Sequence, residues 1–342
     1  MSAGPAIRVV VVHRRSRSAA DLVRVLQHDG DIAVVAEAAD AAAGTGMVTG
    51  IRPDVVVLDL QLDGALQAVE HIMATAPTPI LVLSSPVEDR RSPAAAEALV
   101  AGALEVLPAP AAWTAGLEND LRRVVRQIRK VTVIRHPRGR VRMPRPAPAP
   151  AASGRQPVVG LAASTGGPSA LATVLAGLGG LTAPVLVVQH LHPDFTGGLV
   201  DWMARVSALP VELAAAGRVA LPGRAYLAPG GHHLRIGPGC RLELAETPVS
   251  VHRPSADELF HSVAEWAGPE GVGVLLTGMG EDGARGLLDI HRAGGCTLAQ
   301  DEATSAVFGM PQAAFRMGAV TDLLPLERIA AAVRRAVAGV RT

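Results

Sequence analysis

Gln156-Pro-Val-Val-Gly-Leu-Ala-Ala-Ser-Thr-Gly-Gly-Pro168 and Pro184-Val-Leu-Val-Val-Gln-His190 frame residues 156–193, a run without a single Asp, Glu, Lys or Arg. A charge-free stretch of that length passes as a membrane span on hydropathy alone. Gly166-Gly167-Pro168, Gly179-Gly180 and Pro184 divide it into strand, helix and strand lengths, so it reads as a buried βαβ unit. Two apolar strands flanking a helix need a parallel sheet covered on both faces, and this sets the fold class of the second half of the chain.

The same pattern extends downstream. Val272–Thr277 is a further apolar run that ends in a glycine-rich turn. Arg224–Leu227, His233–Ile236 and Arg241–Leu244 read as short strands joined by glycine turns, a small antiparallel extension. Glu327 to Val337 has the spacing of an amphipathic helix.

Upstream, residues 1–130 alternate strand candidates (Ile7–Val12, Ala33–Ala36, Asp54–Asp59, Pro79–Ser84 and Leu104–Leu107) with amphipathic stretches. Five such alternations predict a doubly wound, flavodoxin-like parallel sheet. Its last helix carries Leu117, Leu121, Val124, Val125 and Ile128 on one face, and Arg122, Arg123, Arg126, Arg129 and Lys130 read as a solvated basic face. Residues 131–156 change character, with arginines at 135, 138, 140, 142, 145 and 155, a Pro-Ala-Pro-Ala-Pro tract at 146–150 and no acid. Such a segment is a semi-extended linker. The expected organisation is therefore α/β throughout: 1–130, a linker at 131–156, and a second α/β domain at 157–342.

Composition removes several functions. With 32 basic and 31 acidic residues the net charge is +1, so no charge excess marks a nucleic-acid binder. Lys130 is the only lysine and lies far from any glycine-rich turn, which excludes a phosphate-binding P-loop and Schiff-base chemistry. Cys240 and Cys296 are isolated, so neither a zinc site nor a disulfide framework is expected. The apolar run Ile7–Val12 is too short for a signal peptide, and a cytoplasmic setting without membrane insertion is the expectation.

In open α/β sheets ligands bind beyond the carboxyl ends of the strands. Ser164, His190 and Asp282 stand at or near three such ends: a hydroxyl to attack, an imidazole to take its proton, and a carboxylate to hold the imidazole. Each has a plainer reading. Ser164 could cap the next helix or belong to a phosphate cradle, His190 could be an ordinary strand-end histidine or half of a metal pair with His192, and Asp282 could cap a helix starting near Ala284. The order Ser…His…Asp, with Ala162 where a Gly-x-Ser-x-Gly elbow needs glycine, disfavours a lipase-type hydrolase. Dinucleotide binding lacks its full fingerprint and the acidic residue about 20 positions on.

The second domain resembles the catalytic domain of the chemotaxis protein-glutamate methylesterases, the CheB family. The resemblance rests on Gly160-Leu-Ala-Ala-Ser-Thr-Gly-Gly-Pro168, Val187-Val-Gln-His190, Tyr226-Leu-Ala-Pro-Gly230, His252-Arg-Pro-Ser255, Leu275-Leu-Thr-Gly-Met-Gly-Glu-Asp-Gly283, Ala299-Gln-Asp-Glu302 and Phe308-Gly-Met-Pro311. It implies Ser164 as nucleophile, His190 as base and then acid, Asp282 as the group orienting His190, amides near Thr165 and Met279 as oxyanion donors, and His252 close to the site. The implied reaction is hydrolysis of glutamate γ-methyl esters on chemoreceptor helices, with deamidation of receptor glutamines as a companion activity and no cofactor.

The first domain resembles a response-regulator receiver with departures. Asp59 stands at the phospho-acceptor position and Ser84 at the family's Ser/Thr position. The acidic pair that would hold Mg²⁺ is replaced by His13-Arg14, and the lysine before the final proline by Ala109. Arginine repels a hard cation that requires oxygen ligands. Phospho-control is accordingly expected to be lost or altered, with Arg14 a candidate partner for Asp59. The expected partners are the cytoplasmic helices of methyl-accepting chemoreceptors, with a chemotaxis histidine kinase beside them. The competing functions are a catalytically idle binding module in a two-component pathway and an esterase for a protein outside chemotaxis.

Overall fold

The computed structural model describes residues 5–14, 17–84, 94–110, 112–131, 156–248, 250 and 252–339. The chain divides into two compact units, Met1–Arg138 and Gly139–Thr342. Apart from Val131 and Gln156, the segment expected as a linker lies outside the described residues.

The first unit contains β1 (Ile7–Val12), α1 (Arg17–Gln27), β2 (Ile32–Ala38), α2 (Ala41–Ile51), β3 (Val55–Asp59), α3 (Ala65–Thr75), β4 (Ile80–Ser84), α4 (Ala94–Ala101), β5 (Glu105–Pro108) and α5 (Ala115–Ile128). The strands pair in parallel in the order β2-β1-β3-β4-β5, the doubly wound, flavodoxin-like arrangement. Val9 to Val12, Val55 to Leu58 and Ile80 to Leu83 are all buried, because both faces of the sheet are covered by helices. One expectation needs correction. Arg122 does not belong to a solvated face: it is 3% exposed, and its guanidinium donates to Val25 O at 3.0 Å and to Asn119 Oδ1 at 2.7 Å. Packing of α5 on α1 covers that position, and the charge is balanced by Asp29 at 3.0 Å and Glu118 at 3.8 Å.

The second unit contains β6 (Val158–Ala163), α6 (Gly167–Ala176), β7 (Val185–Gln189), α7 (Thr196–Val206), β8 (Val211–Leu213), β9 (Ala225–Leu227), β10 (His233–Gly237) and β11 (Arg241–Ala245). After these come α8 (Ala256–Ala267), β12 (Gly271–Leu275), α9 (Ala284–Arg292), β13 (Cys296–Gln300), α10 (Met310–Arg316), β14 (Asp322–Leu324) and α11 (Leu326–Val337). Seven strands form one parallel sheet in the order β14-β13-β12-β6-β7-β9-β8. The expected antiparallel extension is only the hairpin β10–β11; β9 instead joins the main sheet alongside β7. Its three residues Ala225, Tyr226 and Leu227 are fully covered, and such a short buried strand carries no period that would reveal its direction.

Every residue of β6 is buried, and glycine stands where a helix presses hardest. A Cβ at Gly160 would lie 3.1 Å from the Phe260 ring of α8, and one at Gly273 of β12 would lie 2.6 Å from Leu287 of α9. The two helices therefore sit close on the central strands, and the loops at the strands' carboxyl ends inherit fixed positions. Among the described residues no helix is long and apolar enough to cross a membrane.

In the first unit, burial pushes the Glu105 carboxyl up to about 7 from its ordinary 4.5, against the opposing pull of the Val106 amide and Arg123. The folded state thus holds this proton more tightly than the unfolded chain, so the stability that Glu105 contributes is full below about 4.5 and is lost as pH rises through 7. The urea midpoint of the first unit is expected to be higher at pH 5 than at pH 8, and Glu105→Gln should shrink that difference. A pH dependence unchanged in the variant contradicts this origin.

Candidate active site

β6 is the strand at which the chain's direction across the sheet reverses, with β7, β9 and β8 on one side and β12, β13 and β14 on the other. Ligand crevices of doubly wound sheets form at such a reversal. Ser164 follows β6, His190 follows β7, and Asp282 lies in the turn between β12 and α9.

The backbone around the first two is pinned by ladder-like bonds. Ser164 N–H donates to Thr277 O at 3.0 Å, and His190 N–H donates to Ala163 O at 3.0 Å. The buried Gln189 amide donates to Ser164 O at 2.8 Å and to His190 O at 2.9 Å, which ties the two strand ends together. α6 begins just beyond, capped by Gly166 at φ 75°, with no side-chain cap bond. The Ser164 hydroxyl is therefore not a helix cap. A side chain at Gly166 would need a left-handed backbone and would meet Ala306 Cβ at 2.5 Å.

Asp282 does not cap its own helix either. α9 is capped by Gly283 without a side-chain bond, while the Asp282 carboxylate reaches across to the start of α8. Oδ2 accepts from His190 Nε2 at 2.8 Å and from Ala256 N–H at 2.7 Å; Oδ1 accepts from Ser255 Oγ at 2.8 Å and from Asp257 N–H at 3.1 Å. Burial alone would raise the pKa of this carboxyl. The hydrogen bond from His190, with those of the Ala256 amide and the Ser255 hydroxyl, instead holds it well below the usual carboxylate range. The partial positive charge at the amino end of α8 acts in the same direction.

An ionised carboxylate can only accept, so Nε2 of His190 carries the proton and the lone pair falls on Nδ1. That atom is buried and has no hydrogen-bond partner among the described residues. A buried unpaired ring nitrogen is costly unless something transient uses it. The His252 ring stacks on that of His190, with the centroids 4.2 Å apart and 8° between the planes. His190 is thus held in its plane by Asp282 and against its face by His252.

Thr165 and Met279 belong to two loops that meet at Ser164. Thr277 Oγ1 donates to Thr165 O at 3.0 Å and accepts from Val307 N–H at 2.9 Å, and Thr277 N–H donates to the buried Gln300 Oε1 at 2.9 Å. Gly278 N–H donates to Val307 O, and Gly278 O accepts from Gly309 and Met310 N–H. These bonds hold the Gly278 turn rigidly against the Ser164 segment. Sequence reasoning missed Ser255, Gln189, Thr277 and Gln300, whose roles depend on contacts between distant segments; the motif His252-Arg-Pro-Ser255 was the only visible signal for the first.

His192 Nδ1 lies 3.7 Å from Asp194 Oδ2, and the described residues contain no group of three His, Cys, Asp or Glu able to hold an ion. In the first unit Asp59 is 5% exposed and accepts from Gln61 N–H at 3.0 Å. The residue facing it is His13, with Nε2 3.6 Å from Asp59 Oδ2, and not Arg14, whose guanidinium donates to Gln61 O at 2.9 Å. Ser84 is fully buried at the end of β4, and its carbonyl accepts from Ala109 N–H at 2.7 Å. The Mg²⁺ that receivers use does not fit here, since an imidazole occupies the approach to the carboxylate and no second acid stands where the acidic pair would be.

The family model for CheB methylesterase matches residues 159–333. The chain is 46% identical over 335 residues to the protein-glutamate methylesterase/protein-glutamine glutaminase 2 of Anaeromyxobacter dehalogenans, spanning 96% of each. It is 41% identical over 342 residues to the corresponding enzyme 1 of Myxococcus xanthus, spanning 97% of this chain and 98% of that one. The crystal structure of the Thermotoga maritima CheB methylesterase catalytic domain is 32% identical, covers 53% of this chain and 98% of its own, and aligns with a TM-score of 0.51.

A Cβ at Gly278 would lie 2.7 Å from Ser164 Cβ and 3.1 Å from Ser164 N, and would collide with Met310 Sδ. Gly278→Ala is expected to slow labelling of Ser164 by a fluorophosphonate probe by about 10²-fold while leaving the far-ultraviolet circular dichroism unchanged. Labelling at the native rate contradicts the placement of this loop against Ser164.

Proposed function

The chain belongs to the CheB methylesterase family, and from that premise we propose how it works as a protein-glutamate methylesterase. It is a hydrolase of carboxylic esters, and the two-component and chemotaxis setting comes with the family. Ser164 Oγ attacks the ester carbonyl and its proton passes to His190 Nδ1. The tetrahedral oxyanion is met by amides at Thr165 and Met279. His190 returns the proton to the departing methoxide, which leaves as methanol, and a γ-glutamyl ester on Ser164 remains. Water then attacks that ester, His190 takes the water proton and hands it to Ser164 Oγ, and free glutamate is released. The same sequence on a glutamine side chain expels ammonia, in keeping with the glutaminase activity named for the relatives.

The observation that carries the reading is the His190–Asp282 bond. It fixes the one tautomer with a lone pair on Nδ1, and it keeps a negative charge beside the imidazolium formed after proton transfer. His252, stacked on the ring, limits its rotation. The intact set of three residues also favours an active enzyme over an idle binding module. As substrates we propose glutamyl esters on the cytoplasmic helices of methyl-accepting chemoreceptors, which locates the enzyme in the cytoplasm with a chemotaxis histidine kinase among its partners.

The receiver-like unit is proposed as degenerate. Phosphoryl transfer to an aspartate needs metal and cationic neutralisation of the phosphoryl oxygens. His13 faces Asp59 instead, and Ala109 supplies no charge.

Ser164→Ala is expected to abolish methanol release from methylated receptors with the fold intact; release above about one part in 10³ of the native rate removes Ser164 as nucleophile. With the native chain, a small phosphoryl donor plus Mg²⁺ should leave the rate of methanol release unchanged. A clear rise or fall in that rate overturns the degenerate reading of the first unit.

A further inference from the structure

His233 lies on β10, at the start of the hairpin outside the main sheet, and its side chain is fully buried. Nε2 lies 2.9 Å from Pro248 O, and Nδ1 lies 3.2 Å from Ser255 N. A carbonyl can only accept and an amide N–H can only donate, so Nε2 bears the proton and Nδ1 the lone pair. One neutral tautomer satisfies both partners. A protonated ring would point N–H at N–H at Ser255.

Ser255 is where this contact becomes relevant to the reaction. It stands at the N-cap position of α8, yet its side chain makes no bond to its own helix. Its hydroxyl donates to Asp282 Oδ1, and the next two amides, Ala256 and Asp257, donate to Oδ2 and Oδ1. Three of the four donors on the Asp282 carboxylate therefore come from the N-cap and the first two residues of α8, and His233 holds the amide of that N-cap. The hairpin is in turn docked on α8 by the Arg235–Glu258 ion pair and by Ile236 N–H on Ser262 Oγ at 3.0 Å. His252, whose ring stacks on His190, belongs to the same stretch between β11 and α8.

We infer that His233 is a positioning residue for the ester hydrolysis: it anchors Ser255, and through Ser255 it sets the carboxylate that orients His190. It touches none of the reacting atoms. The relay runs from His233 Nδ1 to Ser255 N–H, from Ser255 Oγ–H to Asp282 Oδ1, and from Asp282 Oδ2 to His190 Nε2–H. This inference rests on reading Ser164, His190 and Asp282 as the reacting set. Among the described residues, the titratable groups bonded to or stacked on His190 are Asp282 and His252, and His233 is linked to the ring through Ser255 and Asp282.

The test uses the geometry of two amides. In His233→Asn the side-chain oxygen falls near the position of Nδ1 and can accept from Ser255 N–H, while the contact to Pro248 is lost. In His233→Gln the side-chain amide reaches the position of Nε2 and keeps the Pro248 contact, but nothing accepts from Ser255. With the full chain and methylated receptor, His233→Gln is expected to lower kcat by about 10- to 100-fold with KM within about twofold, whereas His233→Asn keeps kcat within about threefold. The downfield proton resonance of the His190–Asp282 hydrogen bond should persist in His233→Asn and broaden in His233→Gln. Ser255→Ala, which leaves the backbone bond to His233 in place, should lower kcat by about 10-fold and decides the question alongside His233→Asn even where His233→Gln does not fold. Equal kcat for the two His233 variants, a loss of kcat in His233→Asn as large as that expected for His233→Gln, or full kcat in Ser255→Ala overturns the inference. An active Ser164→Ala variant run in parallel would instead overturn the reacting set itself, so the two failures are distinguishable.

Discussion

The arrangement depends on one carboxylate. Asp282 is removed from water, an environment that by itself favours the neutral acid, and it is nevertheless held ionised by four donors. Three of them open α8, and the fourth is the imidazole of His190. The same anion therefore completes a helix terminus and selects a histidine tautomer. A buried charge with every lone pair engaged cannot shift without exposing unpaired groups on several segments at once. This makes the position of His190 as rigid as the start of α8, and α8 is packed tightly on the central strand β6.

That economy explains what could be read from the residues and what could not. The parallel sheets were legible because buried strands in α/β domains are unbroken apolar runs, and Ile7–Val12, Val158–Ala163 and Val185–Gln189 appear in the structure at the bounds their composition indicates. Strands such as Val211–Leu213 and Asp322–Leu324, three residues long at the sheet edges, carry too few positions for any period. β9 was visible as a strand but not as a member of the main sheet, because pairing partners are settled by distant segments.

The site divides along the same line. Ser164, His190 and Asp282 could be singled out since each follows an apolar run, and the capping readings for Ser164 and Asp282 are excluded only by the glycine caps at Gly166 and Gly283. The motif His252-Arg-Pro-Ser255 drew attention to Ser255, but nothing in it or around His233 signals that Ser255 bonds both the Asp282 carboxylate and the His233 ring. In the first unit, the replacement of acids by His13-Arg14 was plain, but which of the two faces Asp59 depended on side-chain direction. The imidazole takes that place, and the longer arginine reaches the Gln61 carbonyl instead.

The central claim is that Asp282 fixes His190 with its proton on Nε2 and its free lone pair on Nδ1. The most direct measurement is ¹⁵N nuclear magnetic resonance on the full chain with labelled histidine, with His190 assigned by the signal lost in His190→Gln. The account predicts a protonated Nε2 coupled to a strongly downfield proton, an unprotonated Nδ1, and loss of that proton signal in Asp282→Asn. A His190 with its proton on Nδ1, or a ring unaffected by Asp282→Asn, contradicts it.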